Sequence, residues 1–79
     1  MISAYILVKL ESGKERTVFD KVKMLSGVKR AAATFGAYDM ILEVSFDNIE
    51  DLDEFIFVKL RRISGITDTM SIIMSKVIV

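Results

Sequence analysis

The chain has 79 residues, 52% of them apolar, and its 11 Lys and Arg are balanced by 11 Asp and Glu. That length holds one core, so residues 1–79 are read as a single domain, and neutrality leaves no basic field to draw in a nucleic-acid backbone directly. The absence of Cys and His excludes disulfides, thiolate metal sites and Cys nucleophiles, and removes the commonest general base and metal ligand. No uninterrupted apolar run approaches the ~20 residues of a membrane span, so a cytoplasmic chain with no membrane partner is expected.

For 8.9 kDa, area scaling gives about 4,800 Å² folded against about 12,900 Å² unfolded. A chain so small cannot hide such an apolar composition alone, which predicts an oligomer.

Ile2 to Leu10 read as strand one, because β-branched and aromatic residues dominate. Ala4, Ile6, Val8 and Leu10 share one face and Tyr5 and Leu7 put apolar bulk on the other, so both faces are expected to be covered. Ser12-Gly-Lys-Glu15 has the form of a capping box, and Val18, Val22 and Leu25 follow at helical spacing, predicting a helix that ends at Gly27. Val28 to Phe35 and Met40 to Phe46 read as a hairpin closed by Gly36-Ala-Tyr-Asp39. Asp47-Asn-Ile-Glu50 repeats the capping pattern, and Ile49, Leu52, Ile56, Leu60 and Ile63 draw the apolar stripe of a second helix, with acids at its start and bases at its end. After Gly65, Ile66 to Val79 read as a long last strand.

The order βαββαβ, with right-handed crossovers, predicts an α+β, ferredoxin-like sandwich: a four-stranded antiparallel sheet with two helices on one face. The other face is also apolar, and a second copy docking sheet to sheet, a dimeric α/β barrel, covers it. Such folds host many functions, so residues must choose among them. A metal-carrying version needs Cys, an RNA-binding version needs aromatics on the third strand where Ile41-Leu-Glu-Val-Ser45 has none, and an enzyme needs more than Asp39 and Asp68, which sit by turns. No catalytic residue, metal ligand or cofactor is therefore assigned. Lys21, Lys23, Lys29 and Arg30 read as a solvated helix face rather than a phosphate patch.

Phe35-Gly-Ala-Tyr-Asp39-Met-Ile-Leu-Glu-Val44 resembles the Gly-x-Tyr-Asp plus apolar strand of the RAM domain, the effector domain of Lrp/AsnC transcription regulators. Ser64-Gly-Ile-Thr-Asp-Thr69-Met-Ser71 resembles that family's Gly-Val-x-x-Thr-x-Thr, with Ile66 for Val and Ser71 for the second Thr. The resemblance covers essentially the whole chain, although a Lrp/AsnC regulator begins with a helix-turn-helix DNA reader and this sequence starts at once with strand one.

The resemblance implies a homodimer, an octamer-like ring of dimers, and an amino-acid effector held between neighbouring dimers by Gly36, Tyr38, Asp39, Thr69 and Ser71. An amino acid needs an acceptor for its ammonium, donors for its carboxylate and apolar walls. Asp39 is expected to take the ammonium, backbone N–H groups opened by Gly36 and the Thr69 and Ser71 hydroxyls the carboxylate, and Tyr38 to wall the pocket. The same residues also have structural readings as turn, turn cap, interface filler and strand former. Two other functions stay open: a module that co-assembles with a full-length Lrp/AsnC regulator without its own ligand, and a small dimeric-barrel enzyme.

Overall fold

A computed structural model describes all 79 residues. The elements are β1 (Ile2–Leu10), α1 (Glu15–Val22), β2 (Val28–Ala33), β3 (Met40–Phe46), α2 (Ile49–Glu54), a π-helical continuation Phe55–Leu60, and β4 (Ile66–Ile73). The strands form one antiparallel sheet in the order β2-β3-β1-β4, the ferredoxin-like arrangement expected from the sequence.

The period-two pattern decides which residues meet the helices. Ala4, Ile6 and Val8 of β1 pair with Val44, Leu42 and Met40 of β3, and all six are buried. Val18 and Val22 of α1 and Leu52, Phe55, Ile56 and Leu60 of the second helix complete the core.

On the opposite face, register places Ile41, Leu7 and Met70 in one row and Glu43, Tyr5 and Ile72 in the next. Tyr5, Leu7 and Ile41 are half-buried, while Met70 and Ile72 are 47% and 51% exposed. In a single chain this face is uncovered, and the covering expected of it takes a second copy. The chain exposes 5496 Å², above the roughly 4,800 Å² typical of its mass.

Several boundaries differ from the expected ones. α1 ends at Val22, and a turn through Leu25 leads to Gly27 at φ 95°. Ser12 does not cap α1; Glu15 Oε2 instead accepts from the Gly13 N–H at 2.9 Å. For α2 the cap is Asn48, not Asp47: its side-chain oxygen accepts from Asp51 N–H at 2.9 Å. β2 stops at Ala33, two residues short of Phe35, although Thr34 N–H still donates in register to Asp39 O at 3.0 Å. β4 stops at Ile73, although Met74 N–H still donates to Ser3 O at 2.9 Å.

The π-helical segment has a local cause. In an unbroken α-helix a residue seven positions after Leu52 lies about 20° from it, so Lys59 would fall beside Leu52 at the margin of the apolar stripe. Wider winding after Glu54 turns Leu60 into the core instead and frees Lys59 to reach Glu54, five residues back, at 4.0 Å.

Gly65 closes this helix at φ 105°, where a Cβ would stand 2.8 Å from Lys14 Cβ and 3.0 Å from Val18 Cγ2. Gly65→Ala is therefore expected to cost about 1–3 kcal/mol of stability, from backbone strain and from pushing α1 away. Thermal unfolding of the variant measures it, and an unchanged midpoint would contradict the packing described.

Candidate functional site

The hairpin end positions the first group of expected site residues. Thr34 N–H donates to Asp39 O at 3.0 Å and the Thr34 hydroxyl to Tyr38 O at 2.8 Å, so the connection is pinned at both ends. Gly36, at φ 119°, would meet nothing within 4 Å if it carried a Cβ, and Phe35 beside it is fully exposed. Asp39 N–H donates to Val8 O at 2.9 Å, and Asp39 Oδ2 accepts from Leu10 N–H at 2.8 Å. One carboxylate oxygen thus continues the β1–β3 ladder where the backbone runs out, and Oδ1 has no protein donor recorded. Tyr38 lies on the open sheet face, with Lys9 Nζ 5.8 Å from its ring centroid and its hydroxyl 4.0 Å from Met70 Sδ.

The second group lies across β1. Thr69 and Ser71 pair with Val8 and Ile6, so their side chains project to the helical side of β4, an edge strand. A bulge at Lys9 and Leu10 shifts the β1–β4 register, and the Thr67 hydroxyl donates to Lys9 O at 3.3 Å. All five expected residues are exposed or half-buried. Thr69 and the Tyr38–Asp39 pair thus flank the same end of β1, with Ser71 further along β4. In one protomer, however, Tyr38 and the Thr69/Ser71 pair occupy opposite faces of the sheet. The five do not close a single pocket within one chain.

Sequence reasoning missed Arg61. The residue follows the π-helical segment, and its Nε donates to Thr69 Oγ1 at 3.0 Å while its guanidinium stacks 4.9 Å from the Phe57 ring centroid. Asp68 Oδ1 accepts from Thr69 N–H at 2.9 Å. Arg61, Ile66, Thr67, Asp68 and Thr69 line a hollow of about 220 Å³. A guanidinium, a carboxylate and two hydroxyls around so small a space suit a zwitterion, because the cation binds a carboxylate and the anion an ammonium. The basic end of the second helix was the available sequence signal, but it was absorbed into a dipole argument.

The molecule is thus an α+β sandwich that gathers groups of both charge signs at one end of its sheet. Residues 3–79 match the family model of the Lrp/AsnC ligand binding domain, and the chain belongs to the Lrp/AsnC family. It is 34% identical over 76 residues to an HTH-type transcriptional regulator of Pyrococcus furiosus, covering 96% of this chain and 51% of that protein. The chain spans about half the length of the curated relatives it matches. Among solved structures, a protein of Pyrococcus horikoshii is 38% identical with TM-score 0.88, covering 96% of this chain and 92% of that one. A transcriptional regulator of Neisseria meningitidis, solved as its L-Met complex, is 25% identical with TM-score 0.87 over 95% of this chain and 50% of that one. The family is a regulatory ligand-binding domain of transcription regulators, not an enzyme. No helix is long and apolar enough to cross a membrane.

Proposed function

We propose that residues 1–79 form a single cytoplasmic amino-acid-sensing and oligomerisation domain. It dimerises through its open sheet face and holds its effector where dimers meet in an octamer-like ring. The observation that carries the reading is the Arg61–Thr69 contact beside its small hollow: a carboxylate entering there finds a guanidinium and a hydroxyl already oriented on each other. The effector's ammonium goes to Asp39 of a neighbouring protomer, whose Oδ1 faces no protein donor and whose turn is left open by Gly36. Tyr38 walls the site and Ser71 adds a second hydroxyl. The relative solved with L-Met supports an amino acid as the ligand class.

Dimerisation follows from the apolar row Ile41, Leu7 and Met70, which water would otherwise wet. Light scattering at micromolar concentration is expected to return at least twice 8.9 kDa. Titration calorimetry against the twenty amino acids is expected to find at least one that binds below millimolar. An 8.9 kDa monomer would remove the premise. An oligomer that binds none of them would favour the alternative, co-assembly with a full-length Lrp/AsnC regulator without a ligand of its own.

A further inference from the structure

We propose that Phe57 is the positioning residue of the effector carboxylate site: its ring holds the Arg61 guanidinium so that the Nη1–Nη2 edge is presented to the carboxylate. The inference rests on the reading of the Arg61–Thr69 hollow as an amino-acid site and names the residue that orients its cation.

Phe57 is a large apolar residue on the wet side of its helix. The winding after Glu54 turns Phe55, Ile56 and Leu60 into the core and leaves Phe57 56% exposed. Core packing therefore gives no account of an aromatic ring at this position. Arg61 stands at the i,i+4 spacing at which side chains of one helix meet, and its guanidinium carbon lies 4.9 Å from the ring centroid. At that distance the ring face attracts the cation, and a flat guanidinium stacks on it as an ammonium does not.

Two contacts of different kinds then fix one group. The ring limits the tilt of the guanidinium plane, and Nε–H, donating to Thr69 Oγ1 at 3.0 Å, limits its rotation within that plane. An arginine offers five N–H donors in a rigid fork. With Nε engaged on Thr69, the edge formed by Nη1 and Nη2 is the one that takes a carboxylate through two parallel bonds. The charge is uncommitted as well. The ion pairs of the chain are Lys23–Asp20, Arg30–Glu43 and Lys59–Glu54. Asp68, which lines the same hollow, accepts from Thr69 N–H rather than pairing with Arg61.

An exposed arginine held by one hydrogen bond alone samples many rotamers, and ordering it on binding costs affinity. A second contact made before the ligand arrives lowers that cost. Thr69 is placed by β4 and Phe57 by the second helix, so the fork is oriented from two elements at once. A leucine at position 57 fills much of the same space without a π face, whereas a tyrosine keeps the face.

Titration calorimetry with the twenty amino acids on the parent, Phe57→Leu and Phe57→Tyr tests this, together with NMR of the Arg61 Nε–H and thermal unfolding. All three proteins are expected to unfold at about the same temperature, because position 57 lies outside the core. The amino acid that binds the parent is expected to bind Phe57→Leu roughly threefold to tenfold more weakly, and Phe57→Tyr within about twofold of the parent. The Nε–H resonance, shifted by the ring beside it, is expected to move toward that of a free arginine in Phe57→Leu alone. Equal affinity in Phe57→Leu and the parent, or binding by Phe57→Tyr as weak as by Phe57→Leu, would overturn the role of the ring while leaving the hollow as the effector site. Weaker binding by Phe57→Leu with an unmoved Nε–H resonance would do the same. A parent that binds none of the twenty would overturn the reading of the hollow itself, and this inference with it.

Discussion

Phe55→Ala is expected to remove about 3–5 kcal/mol of folding free energy. Phe55 is 1% exposed, opens the π-helical segment, and packs on Phe46 with ring centroids 5.2 Å apart at an interplanar angle of 44°. Truncation removes the largest buried side chain of the core and leaves Phe46 without its aromatic neighbour. A domain of 79 residues has a total stability of about 4–12 kcal/mol, so the variant keeps little of it. In the proposed dimer association draws on the folded state, so the remaining stability should rise with protein concentration. Phe57→Ala is the control: the ring is 56% exposed and meets Arg61 rather than the core, and its loss is expected to cost less than about 1 kcal/mol. Denaturant unfolding of the two variants at matched concentration decides. Equal costs would show that the winding after Glu54 has been misread.

The contrast between Phe55 and Phe57 also shows where sequence reading stops. Strand composition and turn residues located β1 and β3 to the residue, and hydrophobic period put Ala4, Ile6 and Val8 on the face that Met40, Leu42 and Val44 share. It placed Leu52, Ile56 and Leu60 on one stripe but left out Phe55. A helix template of fixed pitch has no way to report that Lys59 at the margin of the stripe will widen the turn. The cap of α2 slipped by one residue because Asp47 and Asn48 are both good caps, and only tertiary direction chooses between them. The end of β4 was illegible for another reason: Val77, Ile78 and Val79 have strand composition, but a strand needs a partner, and their own chain offers none.

The candidate site divides in the same way. Gly36, Tyr38 and Asp39 came from the resemblance of the Gly-Ala-Tyr-Asp segment, and Asp39 has a local role there in holding Leu10 N–H. That Thr69 and Ser71 face away from Tyr38 depends on parity across β1, which the sequence of either segment alone does not contain. Arg61 joins this candidate group because the second helix ends where its Nε reaches Thr69 Oγ1.

Asp39 therefore carries two roles that a single substitution to alanine would confuse. Its Oδ2 accepts from Leu10 N–H at 2.8 Å, and the proposed effector ammonium needs the negative charge. Asp39→Asn keeps an oxygen for Leu10 and removes the charge; Asp39→Ala removes both. Loss of the capping bond at this exposed position is expected to cost Asp39→Ala about 1 kcal/mol of stability, while Asp39→Asn stays close to the parent. A charge-assisted hydrogen bond to an ammonium, partly shielded between dimers, contributes about 1.5–3 kcal/mol, so effector affinity should fall roughly tenfold to hundredfold in both variants. Calorimetry with whichever amino acid binds the parent gives the affinities, and thermal unfolding gives the stabilities. If Asp39→Asn binds as tightly as the parent while Asp39→Ala is merely less stable, the residue is a ladder cap and nothing more. The ammonium acceptor must then be sought at Asp68, beside Arg61 in the hollow where the effector carboxylate is placed.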